Sequence, residues 1–312
     1  MSVRVSVVVP TYNRPDLLSR ALDSVLTQTV TDLECIVIDD CSSTSQARKV
    51  VESTNDDRVR YARHEETKGS SAARNTGIEM AVGEYVAFLD DDDEWYPEKL
   101  ERQLSLFEEL TEEYGIVYCW MNYYDDTKDT IINRYRPRLS GDIFPDMLDG
   151  QRIGSTSTLV VRRPVAETVN GFDENLIRGT DGDFIRRICR NYKVEFVPDV
   201  LVRYHVDHGH TRVTRFDREG IEHELTAQHA KLKKFPDALD RYPRRKANVY
   251  AGMAANYGDI GEWEQCLRYY QKALRASLRS RSVYWRLFRS VKRALQSAVR
   301  GIWSVDRDEA KN

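Results

Sequence analysis

Short apolar runs alternate with amphipathic segments over the first ninety residues of the chain. Runs of this kind are typical of buried strands, which we predict at 5–9, 33–38, 59–61 and 85–89. Apolar residues at helical spacing predict helices at 17–28, 45–53 and 71–82. Alternating strands and helices favour an α/β fold with a Rossmann-like, mostly parallel central sheet covered on both faces.

The pattern becomes more irregular after residue 115. Here we predict strands at 116–124, 130–136, 157–162, 194–197 and 201–206, with a helix at 182–192. From 216 onward the pattern is helical. We therefore expect one domain over 1–215, with halves at about 1–114 and 115–215, followed by a helical C-terminal extension over 216–312.

Polar residues follow three of the predicted strands directly. They lie at Thr11–Arg14, at Asp39–Ser43 and at Asp90–Asp93. Because ligands of open parallel sheets bind at the carboxyl ends of the strands, these segments are expected to meet in one crevice.

The third of these segments is a run of four aspartates. Carboxylates this close repel one another unless a cation, or a ligand that carries one, offsets their charge. Oxygen ligands suit Mg²⁺ or Mn²⁺. Taken alone, the run is equally compatible with an acidic turn that caps the helix beginning near Pro97.

Composition indicates the compartment of the protein and the distribution of charge along the chain. The five cysteines are odd in number and never in a C-x-x-C spacing, which fits a reducing compartment. The amino terminus has no secretory-signal pattern, so a cytoplasmic location is expected. Residues 265–305 contain ten Lys or Arg and no Asp or Glu, which leaves −13 on the remainder because the whole chain carries −3.

Several motifs together resemble those of family 2 glycosyltransferases over residues 3–210. They read VVVPTYNR at 7–14, ALDSVLTQT at 21–29, VIDDCS at 37–42, ARNTG at 73–77, GEYVAFLDDD at 83–92 and GFDE at 171–174. This resemblance implies a GT-A fold, a nucleotide-sugar donor, a divalent metal and usually inversion at the anomeric carbon.

The resemblance assigns roles within the aspartate run. Asp90 and Asp92 match the outer positions of the family's D-x-D motif. Asp92 is the leading metal ligand, for Mg²⁺ or Mn²⁺, and Asp90 is expected to contact the donor's ribose or sugar. Asp91 is counted with the nucleotide-sugar-binding residues, although Asp91 and Asp93 can also serve only to orient neighbours or face solvent.

Further donor contacts are predicted at the first two strand ends and on the third helix. Tyr12 can stack on a base, and Asp40 can accept a hydrogen bond from a uracil or guanine N–H; a UDP-sugar is the favoured donor. The alternatives are that Tyr12 is a half-buried loop aromatic and that Asp39 and Asp40 cap a helix. The resemblance places Pro10 in the same pocket, and Arg14 is grouped with these residues. Arg74 can pair with a phosphate, or with an aspartate in a structural ion pair.

An inverting transfer needs a base that takes the acceptor's proton. The resemblance identifies Asp181 as this base, with Thr180 in place of the acidic neighbour often found there. Asp183 is the competitor, and either carboxylate can instead cap a helix. In the segment 204–210, which contains three histidines, His208 is our choice as a metal ligand.

The C-terminal extension contains two predicted features. Residues 250–273 resemble a single tetratricopeptide-like helical hairpin. Apolar residues then recur at steps of four and three over 284–302, flanked by arginines and lysines, which predicts a basic amphipathic helix. This helix fits a peripheral contact with the inner face of the cell membrane, or packing on the acidic body. Its aromatics do not form a stacking platform, so no nucleic-acid partner is expected.

These observations favour a metal-dependent inverting glycosyltransferase that acts on a lipid-linked glycan or polysaccharide acceptor. A polyprenyl-phosphate sugar synthase is the alternative enzyme. A non-catalytic nucleotide-sugar-binding scaffold is the alternative from another class, and the presence of both the D-x-D positions and Asp181 opposes it.

Overall fold

The computed structural model describes residues 2–207, 209 and 217–291. The chain divides by contact into two compact units, Met1–Arg212 and Val213–Asn312. The described strands all belong to the first unit, and the described part of the second unit is helical.

The described residues of the first unit form one nine-stranded sheet. Its strands are β1 (Val5–Thr11), β2 (Leu33–Asp39), β3 (Val59–Arg63), β4 (Tyr85–Phe88), β5 (Glu94–Trp95), β6 (Tyr114–Asp125), β7 (Thr130–Tyr135), β8 (Leu159–Arg162) and β9 (Lys193–Val206). The order is β3-β2-β1-β4-β8-β6-β9-β5, and β7 pairs with β6. Strands β1 to β4 pair in parallel, as do β6 and β9, while β8 is antiparallel to both of its neighbours.

Helices cover both faces of this sheet. They are α1 (Pro15–Leu26), α2 (Gln46–Thr54), α3 (Ser70–Met80), α4 (Lys99–Glu109), α5 (Phe144–Met147), α6 (Arg163–Thr168) and α7 (Thr180–Cys189). Helices α1, α2 and α4 pack in one core with Val7 and Val9, whereas α3, α6 and α7 pack in the other with Val8. Alternate side chains of β1 thus supply both cores, as expected for a strand buried on both faces.

The structure corrects one prediction of strand number. The sequence predicts separate strands at 194–197 and 201–206, but β9 is continuous from Lys193 to Val206. Its pairing with β6 shifts register between Cys119 and Trp120, opposite residues 198–199. Because Pro198 has no N–H to donate, the bulge lets the ladder continue past it.

The second unit contains α8 (Arg218–Lys234), α9 (Pro236–Arg241), α10 (Pro243–Asp259) and α11 (Trp263–Ala276), and residues 281–291 are helical. Helices α10 and α11 pack as a hairpin, with Gly261 in a left-handed conformation in the connection. Tyr257 and Tyr269 stack across the pair at 5.3 Å. Among the described helices, none has the length and apolar character needed to cross a bilayer.

Candidate active site

The four aspartates lie in the turn between β4 and β5, which we call the acidic turn (Asp90–Asp93). The Asp93 N–H donates to the Asp90 carbonyl at 3.0 Å and closes the turn. One oxygen each from Asp90, Asp92 and Asp93 lies within 4.8 Å of the others. Since hard oxygen ligands at this density are typical of Mg²⁺ and Mn²⁺ sites, these three carboxylates fit a divalent cation.

Distant segments hold two of these carboxylates in place. Asp90 accepts a hydrogen bond from Arg74 Nη2 at 2.5 Å. Asp93 is fully buried and accepts from the Ser157 hydroxyl at 2.5 Å and from the His205 backbone N–H at 3.2 Å. The sides of the acidic turn are therefore fixed by α3, by the segment before β8 and by the end of β9.

Burial and neighbouring like charges both disfavour the ionised form of two carboxyls of the acidic turn. Burial raises the pKa of Asp90, and nearby Asp181 and Asp92 raise it further, although the Arg74 guanidinium opposes the change. Burial also raises the pKa of Asp93 well above its ordinary value, and Asp92 and Asp90 add to the effect. A divalent cation bound here would relieve the same repulsion.

Asp91 is held by the end of the first strand. It accepts hydrogen bonds from the Thr11 hydroxyl at 2.8 Å and from Arg14 Nη1 at 3.1 Å. Burial raises the pKa of Asp91 to about 7, while Arg14 acts in the opposite direction. Arg14 also lies 3.1 Å from Asp92. The structure thus joins two predicted donor-binding residues, Arg14 and Asp91, to each other and to the acidic turn.

Asp181 lies in the first turn of α7. Its carboxylate accepts from the Thr156 backbone N–H at 3.4 Å and from the Thr180 hydroxyl at 3.1 Å. Its charge influences the pKa of both Arg74 and Asp90. The structure therefore brings the predicted base within electrostatic range of the acidic turn, ninety residues away in sequence.

Asp183, the competing base, is engaged elsewhere. It is buried and pairs with Arg187 at 2.8 Å. Arg187 Nη2 also donates to the Gly171 carbonyl at 2.6 Å. Asp183 therefore anchors α7 to the segment before it, which favours Asp181 as the residue facing the crevice.

The first two strand ends are tied together. The Asn13 N–H donates to Ser42 Oγ at 2.9 Å, and the Ser43 N–H donates to the Asn13 side chain at 2.8 Å. Pro10 is buried within β1, whereas the Tyr12 side chain is 47% exposed. This exposure leaves the Tyr12 ring open for stacking against a planar ligand.

Asp40 is buried and well supplied with donors. Its oxygens accept from the backbone N–H groups of Lys68 at 2.9 Å and Gly69 at 2.7 Å, and His64 Nδ1 lies 2.8 Å away. A carboxylate has about four acceptor positions, so one further donor can be accommodated. This geometry is compatible with the base contact predicted for Asp40.

The predicted metal ligand His208 lies outside the described residues, so that assignment stays a prediction. The structure adds Ser157 and His205, neither of which the sequence assigns a role. His205 belongs to the histidine-rich segment already noted, but Ser157 lies in an ordinary polar stretch with no motif to mark it.

Solved structures share this architecture. TarS of S. aureus in complex with UDP-GlcNAc is 17% identical, with a TM-score of 0.66 over 88% of this chain and 81% of that one. A mannosyltransferase of Pyrobaculum calidifontis, PcManGT, in complex with GDP-Man and Mn²⁺, is 20% identical, with a TM-score of 0.59 over 95% of this chain and 81% of that one. The fold is GT-A, as predicted, with helices in the C-terminal region.

The chain belongs to glycosyl transferase family 2, whose family model matches residues 6–168. One relative is the Escherichia coli UDP-Glc:α-D-GlcNAc-diphosphoundecaprenol β-1,3-glucosyltransferase WfgD. It is 36% identical over 131 residues, which cover 42% of this chain and 50% of WfgD. Both the family and the enzyme class predicted from the motifs are confirmed: the protein is a glycosyltransferase.

Proposed function

We propose that the enzyme transfers a sugar from a nucleotide diphosphate sugar to a glycan acceptor with inversion at the anomeric carbon. One observation carries this proposal: Thr156 joins Asp181 to Asp90, because its backbone N–H donates to Asp181 at 3.4 Å and its hydroxyl donates to Asp90 at 3.5 Å. A candidate base and a candidate cation site therefore share one crevice, as a single displacement requires.

In this reaction Asp181 accepts the proton of the attacking acceptor hydroxyl. A divalent cation, Mg²⁺ or Mn²⁺, held by Asp92 with Asp90 and Asp93 would stabilise the charge that forms on the departing diphosphate. The Mn²⁺ present with PcManGT supports this assignment. Arg74 holds Asp90 by a hydrogen bond from Nη2 at 2.5 Å.

A UDP-sugar is our proposed donor. Tyr12 offers an exposed ring for stacking, and Asp40 offers an acceptor position for the N–H of the base. The name of WfgD specifies UDP-Glc, and TarS was solved with UDP-GlcNAc. A GDP-sugar is the second candidate donor, because PcManGT was solved with GDP-Man.

For the acceptor we propose a lipid-linked glycan. WfgD, which acts on a sugar diphosphoundecaprenol, supports this class. The other acceptor class is a polyprenyl phosphate itself, which would make the enzyme a polyprenyl-phosphate sugar synthase.

The transfer proposal is tested with UDP-, GDP- and dTDP-sugars, in Mg²⁺ or Mn²⁺, by following nucleotide release and product formation. Asp92→Asn and Asp181→Asn are expected to lose transfer by factors of about 10² to 10⁴. Asp199→Asn, at an exposed surface ion pair, is the matched control. Full transfer activity of Asp181→Asn with a true acceptor would show that another residue is the base, and absence of turnover with every donor would overturn the function.

We further propose that the enzyme contacts an anionic membrane through its C-terminal helix. In the described helix 281–291, the apolar side chains of one face are 48–67% exposed: Tyr284, Trp285, Phe288 and Val291. Arg281 and Arg289 are exposed beside them, and the opposite side is anchored by Ser290, whose hydroxyl lies 2.9 Å from that of Tyr270. Exposed aromatics flanked by arginines fit a lipid interface. The continuation at Leu295, Ala298 and Ile302 lies outside the described residues.

Sedimentation with vesicles that contain anionic lipid tests this contact. We expect the Trp285→Ser/Phe288→Ser variant to bind less than the unmodified chain, because it removes two exposed aromatic rings from the proposed contact. Val82→Ser, at an exposed apolar residue of the first unit, is the control. Equal sedimentation of the double variant and the unmodified chain would overturn the proposal.

A further inference from the structure

His205 is a buried histidine between two carboxylates at the end of β9. Its side chain is 2% exposed. Its Nδ1 lies 2.5 Å from Asp126 Oδ1, and its Nε2 lies 2.6 Å from Glu94 Oε2. Because both ring nitrogens are already engaged, the imidazole is not available as a ligand itself.

The backbone of the same residue reaches the acidic turn. The His205 N–H donates to Asp93 Oδ1 at 3.2 Å. Glu94, held by the ring, directly follows Asp93 in the chain. The ring and the backbone of His205 therefore fix adjacent residues at one end of the acidic turn.

A second series of contacts links His205 to Asp92, the leading predicted metal ligand. The remaining oxygen of Asp126 lies 3.2 Å from Arg20 Nη1, and Arg20 Nη2 donates to the Asp92 carbonyl at 3.2 Å. His205 is thus linked to Asp92 through Asp126 and Arg20, and to Asp93 directly. These contacts join β9, the end of β6 and α1 around the acidic turn.

We propose that His205 is a positioning residue that preorganises the acidic turn for its divalent cation. The inference rests on the proposed cation site. The carboxylates at 90, 92 and 93 repel one another, so they would separate if nothing restrained them. A restraint present before binding lowers the free energy needed to bring the ligands together, and losing such an outer contact typically weakens metal affinity about 10- to 100-fold.

The test is Mn²⁺ binding to the full-length protein without nucleotide, followed by electron paramagnetic resonance of the free ion. We expect His205→Gln to raise the Kd for Mn²⁺ about 10- to 100-fold, because glutamine cannot bridge both carboxylates. Arg20→Gln removes only the link to Asp92 and is expected to raise the Kd several-fold. His229→Gln, at a histidine that contacts Tyr257 in the second unit, is expected to leave the Kd unchanged.

Two further measurements distinguish a positioning role of His205 from a purely structural role. Positioning predicts that His205→Gln raises the Mn²⁺ concentration needed for half-maximal transfer and retains most of kcat at saturating Mn²⁺. A structural role predicts a lower melting temperature with an unchanged Kd, which would overturn the proposal. If His205→Gln does not fold, Arg20→Gln decides in its place, and an unchanged Kd there overturns it equally.

The Asp92→Asn variant distinguishes failure of the positioning role of His205 from failure of the proposed cation site. Loss of Mn²⁺ binding in Asp92→Asn with an unchanged Kd in His205→Gln would overturn only the positioning role. Unchanged Mn²⁺ binding in Asp92→Asn would overturn the cation site, and the role of His205 with it.

Discussion

Gly77 lets α3 pack directly against β1. A Cβ added there would overlap the Val8 side chain in the core. Helix propensity alone predicts that Gly77→Ala stabilises α3 by up to about 1 kcal/mol. Because overpacking of a filled core dominates, we expect the variant to lower the free energy of unfolding by about 1–3 kcal/mol, measured by urea denaturation. Gly150→Ala, where a Cβ meets nothing within 4 Å, is the control.

Lys99 is a buried cation without a hydrogen-bond partner among the described residues. Its Nζ lies 3.9 Å from the centre of the Trp95 ring, and burial lowers its pKa to about 8. Between pH 8 and about 10.5 the unfolded chain keeps a proton that the folded protein has lost, so stability rises with pH in that window and the gain is absent below it.

Replacing this ammonium should therefore stabilise the protein at neutral pH. We expect Lys99→Met to raise the free energy of unfolding by about 1–3 kcal/mol at pH 7, and by less at pH 10. Urea denaturation at both pH values measures the difference. Exposed Lys49→Met is the control. An equal effect at the two pH values would contradict the explanation by charge burial.

At the candidate site, sequence could predict the positions of residues that belong to recognisable motifs. Asp90, Asp92 and Asp181 follow predicted strands or precede a predicted helix, and the structure brings them to one crevice. Ser157 and His205 could not be assigned because their roles depend on partners far away in sequence. Strand periodicity gives the direction of a side chain such as that of His205, but it does not identify Asp126 and Glu94 as its neighbours.

At the scale of elements, the acidic turn predicts a pH-dependent response to metal. Burial and like charges raise the pKa values of Asp90 and Asp93, so protons compete with a cation increasingly as pH falls. We expect Mn²⁺ to raise the melting temperature more at pH 8 than at pH 5.5. A ligand at 100 times its Kd adds about 2.7 kcal/mol.

Thermal unfolding with Mn²⁺ or with chelator, at each pH, measures this difference. Asp92→Asn should remove most of the Mn²⁺ effect, whereas Asp199→Asn should retain it. A shift of equal size at both pH values would contradict competition between protons and the cation.

Whether an element could be predicted from sequence depended on its length and on how continuously it is buried. Strands β1 and β2 are buried along their whole length and appear in the sequence as uninterrupted apolar runs. Strand β5 has two residues and is defined only by its pairing with β9, so no periodicity could indicate it. The break predicted at Pro198 was wrong because the bulge depends on pairing with β6, which local sequence does not encode.

At the scale of the molecule, the residues of the candidate site named above belong to the first unit. A chain of residues 1–212 should therefore fold cooperatively and bind Mn²⁺ and UDP with affinities close to those of the full chain, as measured by calorimetry. It is long enough to bury its own core. The domain boundary near 215 predicted from sequence would gain support from this result.

A shorter chain provides the control for that experiment. Residues 1–199 lack the second half of β9, including buried Val202 and His205. We expect this chain not to fold. Loss of UDP binding in the 1–212 chain would instead show that the second unit contributes to the site.

Strand β8 runs opposite to β4 and β6, between which it lies. Its amino end therefore lies beside the carboxyl end of β4, and Thr156 and Ser157 reach the acidic turn from there. The segment that precedes Thr156 joins β8 at this position without interrupting β1, β2 or β4. Changes in the length of that segment can consequently alter what lies beside the acidic turn while the pairing of those three strands stays intact.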